Sequence, residues 1–146
     1  MNPELQGRVF PPVEPYLVGR EKVREFARAV FATNPINHDV DAARAAGYDD
    51  VVAPPTFAVV LQEQTLAQLL AEPDTGIDFS RVVHGEQRFI HHRPITAGDE
   101  VLGTLTVDTV RETGGHAMVT TRTELATTAG EALCTSTSTI VIRGGE

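Results

Sequence analysis

The sequence predicts an α+β domain in which a curved antiparallel β-sheet wraps around one long central α-helix. Three observations carry this expectation. Apolar residues recur with helical period in the first half and with period two from residue 81 onward, which orders helices before strands. The stretch 57–70 is apolar on almost every side, as a helix buried centrally must be. Four Val-, Ile- and Thr-rich runs near the C-terminus exceed the common strand length of about 5–6 residues, as strands bent around a helix require.

The elements follow in order. Pro3, Pro11, Pro12 and Pro15 keep the first fifteen residues irregular, because each ring restricts its own backbone and that of the residue before it. A short first strand is expected at 16–18, ended by Gly19. Over 20–31, Val23, Phe26, Ala27 and Val30 stand at i, i+3, i+4 and i+7, the stripe of an amphipathic helix. That helix ends before Asn34-Pro35. A second short helix runs from 39 or 40 to 46, with Asp39 as N-cap and Gly47 as C-cap. Ala53-Pro54-Pro55-Thr56 breaks the chain, and the central helix follows over 57–70, interrupted by Gln62, Glu63, Gln64 and Gln68. Strands are expected at 81–92, 100–111, 116–128 and 131–142. The last three are joined by Glu112-Thr113-Gly114-Gly115 and Ala129-Gly130, connections short enough for antiparallel hairpins. This is the hot-dog plan, expected as one domain over 1–146. A single sheet over one helix leaves an edge strand unpaired, so pairing between two chains is expected.

Composition narrows the function. Twelve basic against twenty acidic residues give a net charge of −8, with Lys22 the single lysine and no run of Arg. A phosphate-tracking nucleic-acid surface is excluded on that balance, although a few local Arg can still clamp a phosphate or an acidic carrier. No apolar run approaches the roughly 18–20 residues of a membrane span. The N-terminus lacks the charged start, apolar middle and small-residue site of a signal peptide, so a cytoplasmic location is expected. Cys134 is the one cysteine; it cannot form an intrachain disulfide and sits in an alternating run, which reads as a packed thiol. With one Cys and scattered His, no zinc-ligand spacing can be assembled, and no metal is expected.

Five segments together resemble a known family: Asn34-Pro35-Ile36-Asn37-His38, the stretch 42–47, Val52-Ala53-Pro54-Pro55-Thr56-Phe57, Val83-His84-Gly85-Glu86-Gln87, and His92-Arg93-Pro94-Ile95-Thr96-Ala97-Gly98-Asp99. They resemble the MaoC-like hydratase/dehydratases, and within these the HadA-type, dehydratase N-terminal subgroup of actinobacteria, over 7–142. The resemblance implies reversible addition of water to a trans-2-enoyl thioester, giving an (R)-3-hydroxyacyl thioester of coenzyme A or acyl carrier protein, with no cofactor. Active members use D-x-N-P-I-H, whose Asp and His act as general base and acid, while amides at the start of the central helix polarise the thioester carbonyl. Aligning Asn34-Pro35 with that motif puts Ala32 at the Asp position and Asn37 at the His position. Alanine exchanges no proton and a neutral amide is no base near pH 7. The departure agrees with the HadA-type subgroup, which implies a noncatalytic, acyl-chain-binding subunit paired with a catalytic MaoC-like (HadB-type) partner in fatty-acid elongation.

Other residues invite chemistry. His38 lies one place past the motif His, and one residue turns a helical side chain by about 100°; it reads as an exposed His beside the Asp39 cap. His84 and Glu86 alternate along a strand and so share a face, where they either orient water or a pantetheine amide, or form a structural pair. Glu63 sits on the central helix, where the FabZ-like dehydratases keep a carboxylate; here it serves either that purpose or a subunit contact. These three, Glu63, His84 and Glu86, are the fallback acid/base candidates of a stand-alone homodimeric hydratase. His91 and His92 point to opposite faces and cannot act as a pair. Asn34 fixes a turn or touches substrate. Thr56 resembles a helix N-cap that leaves donors free for substrate, flanked by Pro55 and Phe57. Phe26, Val30, Phe57, Val60 and Leu61 line an acyl tunnel or fill the core. The substrate-binding set is thus Asn34, Pro55, Thr56, Phe57, Val60 and Leu61. A third alternative is an acyl-thioester binding protein without catalysis, as a dimer with itself.

Overall fold

The switch from helical to alternating pattern is realised in the computed structural model, which describes residues 1–145. The elements are β1 (Tyr16–Leu17), α1 (Arg20–Ala29), α2 (Val40–Ala45), α3 (Ala58–Ala71), β2 (Val82–His91), β3 (Glu100–Thr113), β4 (His116–Thr127) and β5 (Ala132–Ile142). The five strands form one antiparallel sheet in the order β1-β3-β4-β5-β2, curled around α3. This is the expected hot-dog architecture.

Boundaries differ from expectation where local chemistry decides. Strand pairing in the β3–β4 hairpin continues to Thr113 and His116, so the connection shrinks to Gly114-Gly115. Both glycines have positive φ, +57° and +78°, as a two-residue turn matched to the strand twist demands. Helix α1 stops at Ala29 because Phe31 enters the left-handed region at φ +58°; Val30 therefore leaves the buried stripe and is exposed. Asp39 caps α2 as expected, accepting from the Asp41 and Ala42 amides, and Gly47 bends away just beyond at φ +97°. The proline-rich N-terminus is less irregular than expected. Amides of Gly7, Phe10 and Val13 donate to the carbonyls of Val107, Leu105 and Gly103, covering the β3 edge with the few donors the prolines leave. The long β2 edge remains open.

Helix α3 meets the sheet through a polar belt between two apolar clusters. One cluster gathers Phe57, Leu61, Val101, Leu125 and Cys134; the other gathers Leu66, Leu69, Leu105, Val119 and Ile140. Between them along helix and strands lie the buried Gln62, Thr65, Thr121, Thr123, Ser136 and Ser138. Gln62 and Gln87 exchange amide hydrogen bonds at 3.0 and 2.8 Å. Gln87 Nε2 also donates to Ser136 Oγ at 2.8 Å, and the Ser136 hydroxyl donates to Gln62 Oε1. Thr65 Oγ1 donates to the Gln62 carbonyl at 2.7 Å, which leaves Thr123 to donate to Thr65 at 2.8 Å. A buried glutamine is tolerable only when paired in this way. Among the described residues, Thr121 Oγ1 lacks a partner.

The helix can approach this closely because Gly103 has no side chain. A Cβ there would stand 2.6 Å from Thr65 Cγ2, and Thr65 cannot swing aside while its hydroxyl holds two bonds. At the far end of β2, Arg93 clamps the turn into β3. Its guanidinium makes two 2.9 Å bonds to the Asp99 carboxylate and one of 2.8 Å to Glu131, while the Thr96 amide donates to Asp99 at 2.8 Å. Burial works to raise the Asp99 carboxyl, but Arg93 and the Thr96 amide outweigh it and hold the group below its ordinary range. The same contact with Asp99, ahead of that with Glu131, raises Arg93.

Two outcomes follow for stability. Gly103→Ala lowers stability by about 1–3 kcal/mol in thermal or urea unfolding, and Thr65→Ser, which keeps the hydroxyl and removes Cγ2, restores part of that loss in a double-mutant cycle; simple additivity contradicts the close-approach account. Because the folded Asp99 carboxyl lies below its unfolded value of about 3.9, its contribution is present above pH 4 and disappears as pH falls through the folded value. Asp99→Asn therefore unfolds at lower temperature at pH 7 and shows a shallower fall between pH 5 and 2 than the parent chain, measured by circular dichroism melts; parallel curves contradict the assignment.

Candidate functional site

Three segments converge beside the start of α3. In the first, Asn34 accepts the Ile36 amide at 3.2 Å and Pro35 opens a 3-10 turn, Pro35–Asn37, so Asn34 fixes the turn. The second is the proline break. The Val52 amide donates to the Ile36 carbonyl at 2.8 Å, and Asn37 Nδ2 donates to the Val52 carbonyl at 2.7 Å. The third is the end of β2 and its exit loop, where Ala53 donates to the Ile95 carbonyl at 2.8 Å and His91 Nε2 donates to the Pro55 carbonyl at 2.9 Å. A bidentate Arg20–Asp50 pair at 3.0 and 2.7 Å ties α1 to the residue before Val51. The hydrogen bond from Arg20 lowers the Asp50 carboxyl against the opposing effect of burial.

Between these segments opens a cavity of about 640 Å³, within the range of small-molecule sites. Its walls are mainly apolar: Ala32, Ile36, Val52, Ala53, Pro54, Pro55, Pro94 and Ile95, with Asn34 and Asn37 among them. The titratable groups on its wall are Tyr48, His91, His92 and Arg93, and Arg93 is held by Asp99 and Glu131. The arrangement suits an apolar ligand. At the two motif positions it offers no acid or base, because Ala32 has none and the Asn37 amide, 6% exposed, is committed to Val52.

The fold thus gathers Ala32, Asn34, Asn37 and Pro55 from the candidate set, and disperses the rest. Thr56 is exposed inside a 3-10 turn, Pro55–Phe57, and caps neither that turn nor α3; Phe57 takes the cap position. Phe57 and Leu61 are buried in the core, Phe57 meeting Phe26 edge-on at 5.4 Å, and Val60 packs partly against the same cluster. These serve the core and line no part of the cavity. Glu63 is exposed, not buried, since it lies on the face of α3 turned from the sheet. His84 and Glu86 do not share a face. A bulge between them shifts the register, so His84 turns to Ser138 at 3.3 Å and to the Glu86 backbone carbonyl at 3.1 Å, while the Glu86 carboxylate pairs with Arg88. His38 is half-buried, not exposed, with Nε2 donating to the Ala32 carbonyl at 2.6 Å. Cys134 is fully buried and burial pushes its thiol up to about 11, the state of an inert packed thiol.

Sequence reasoning set His91 and His92 on opposite faces, whereas both border the cavity because β2 ends at His91, and it missed His91 as a wall residue. The available signal was its parity with Phe89, whose ring lies 6.0 Å away on the same face; which loop that face meets is a tertiary matter. Among the described residues, no group of three His, Cys, Asp or Glu gathers as metal ligands, and no helix is long and apolar enough to cross a membrane.

Comparison with known proteins agrees with this geometry. The FAS1-like dehydratase domain region matches residues 4–136. A UPF0336 protein of Clavibacter michiganensis is 62% identical over 146 residues, covering 100% of this chain and 98% of its own length, and a UPF0336 protein of Saccharopolyspora erythraea is 49% identical over 138 residues, covering 94% and 88%. Among solved structures, a chain of the HadBC (3R-hydroxyacyl-ACP dehydratase) complex of Mycobacterium tuberculosis superposes with TM-score 0.84 at 33% identity, over 94% of this chain and 96% of that one. The (R)-hydratase of A. caviae superposes with TM-score 0.72 at 21% identity, over 96% of each chain, a likeness of fold. With a family match over most of its length and relatives this similar end to end, the chain belongs to the FAS1-like dehydratase region family, of MaoC-like hot-dog fold.

Proposed function

We propose that this chain is the noncatalytic, acyl-chain-binding subunit of a (3R)-hydroxyacyl thioester dehydratase, working beside a MaoC-like subunit that carries the Asp and His. The observation that carries the reading is the commitment of Asn37 to the Val52 carbonyl, with Ala32 at the other motif position, in a cavity whose walls are mainly apolar. A site that kept the family's acid–base pair would hold proton-exchanging groups at the two motif positions; this one holds a methyl and an engaged amide there. The match to a chain of the two-component HadBC complex supports a partner, and the open β2 edge supplies strand donors and acceptors for pairing. The acyl thioester of acyl carrier protein or coenzyme A is the ligand this reading requires.

Crotonyl-CoA hydration, followed at the enoyl-thioester absorbance, tests it. The chain alone shows no turnover above the uncatalysed rate, and addition of a MaoC-like subunit with intact Asp and His yields activity at least tenfold above that subunit alone. Turnover by the chain alone, abolished in His91→Ala, overturns the reading in favour of a stand-alone hydratase built on the wall imidazole. Separately, Asn37→Asp removes the donor and sets a carboxylate against the Val52 carbonyl, lowering stability by about 2 kcal/mol in urea unfolding at pH 7; an unchanged midpoint contradicts the structural role of Asn37.

A further inference from the structure

The cavity is graded from mouth to floor. Of its wall residues, Asn34, Pro55, His91, His92 and Pro94 are exposed, whereas Val52, Ala53, Pro54 and Ile95, with Asn37, are buried. A ligand that enters past the more polar mouth therefore meets mainly apolar side chains as it goes deeper. Two floor residues, Ala53 at 6% exposure and Ile95 at 2%, belong also to the apolar cluster that contains Phe57 and Leu61. They form a partition, a single layer of side chains, between the cavity and the core.

The partition is held in place from within and from behind. Its backbone forms a short antiparallel ladder: Val52 pairs with Thr96, the Ala53 amide donates to the Ile95 carbonyl at 2.8 Å, and the Ala97 amide donates to the Val51 carbonyl at 3.0 Å. Behind it the buried Phe57 stands edge-on to Phe26, and Leu61, one turn further along α3, is buried as well. These side chains fill the path beneath the helix that an acyl tunnel would take, and beyond them the hydrogen bonds among Gln62, Gln87 and Ser136 close it. An interior packed in this way does not admit an extra methylene without strain.

We propose that Ala53 and Ile95 set the length of acyl chain that this cavity accepts, the methyl end of the chain stopping against them. The proposal rests on the acyl-thioester reading above and adds the residues that select among chain lengths. Ala53 leaves depth because it contributes only a methyl, whereas Ile95 removes depth with a branched side chain. A chain too short to reach the floor forgoes apolar burial, and one too long must leave methylenes at the exposed mouth or displace the partition.

Saturated acyl-CoA thioesters from butanoyl to dodecanoyl, titrated into the full chain by calorimetry, test the idea. In the parent chain, affinity rises about fourfold with each added methylene and then levels or falls at one chain length. Ile95→Ala, which takes three carbons from the floor, moves that break about two to three carbons longer; Ala53→Val, which adds two, moves it about two carbons shorter. Leu69→Ala truncates the other apolar cluster, loses stability as Ile95→Ala does, and leaves the break in place, which separates a shaped floor from a merely loosened core. Should circular dichroism show that Ile95→Ala does not fold, Ala53→Gly takes one methyl from the same partition and moves the break about one carbon longer. Thioesters that bind with no break, with a break that neither partition residue moves, or with a break that Leu69→Ala moves equally, overturn the partition and leave the acyl-thioester reading standing. Failure to bind any thioester overturns both.

Discussion

The contact between α3 and the middle of the sheet governs the rest of the structure. Helix and strands are brought together at Gly103, where the absence of a side chain admits Thr65, and are held in register by Gln62, Gln87 and Ser136. Apolar clusters on either side supply the driving force, but apolar contacts are non-directional and would allow the helix to slide. The belt removes that freedom. A shift of α3 by one turn would strand the Gln62 amide in an apolar cluster, at a cost of a few kcal/mol. Fixing α3 also fixes Pro54 and Pro55 at its start, and hence one wall of the cavity.

That wall is completed by backbone bonds, not by side-chain chemistry. Val52 bonds the motif turn through its amide and its carbonyl, and Ala53 bonds Ile95. The motif turn, the proline break and the β2–β3 loop are thereby laced edge to edge, and Arg93 with Asp99 stiffens the last of them. Asn37 takes part in the lacing from the position where the resemblance places a catalytic histidine. A side chain that closes a buried hydrogen bond to the backbone is not free to shuttle a proton, so architecture and chemistry have exchanged places at this residue. At the two motif positions the cavity carries the Ala32 methyl and the engaged Asn37 amide.

The two ends of the sheet contrast in the same terms. At the β3 side, the N-terminal segment spends its few amides on the exposed carbonyls. At the β2 side, ten residues stay open among the described residues, with Val83 and Ile90 exposed among them. A long edge of that kind invites another strand.

Element types and order, the hairpins, the Asp39 cap and the buried thiol were legible in the sequence, because periodicity, turn residues and capping chemistry act within a few neighbours. So was the vacancy of the motif, since Ala32 and Asn37 can be identified by alignment with Asn34-Pro35 alone. Tertiary structure decided what depends on distant partners. The bulge that parts His84 from Glu86 is a property of the pairing between β2 and β5, and a strand read alone alternates without interruption. Thr56 looked like a cap because the 3-10 turn that displaces it is set by how Pro54 and Pro55 meet the sheet. Glu63 and Gln62 are adjacent and alike in polarity, yet one faces out and the other is buried, because only the position of Gln87 and Ser136 says which side of α3 can satisfy an amide. The sequence by itself determined which elements form, through local backbone preferences, and which residues stand at the motif positions. The packed molecule decided which side chains share a cavity, because burial and hydrogen-bond satisfaction are fixed by contacts between residues far apart in the chain.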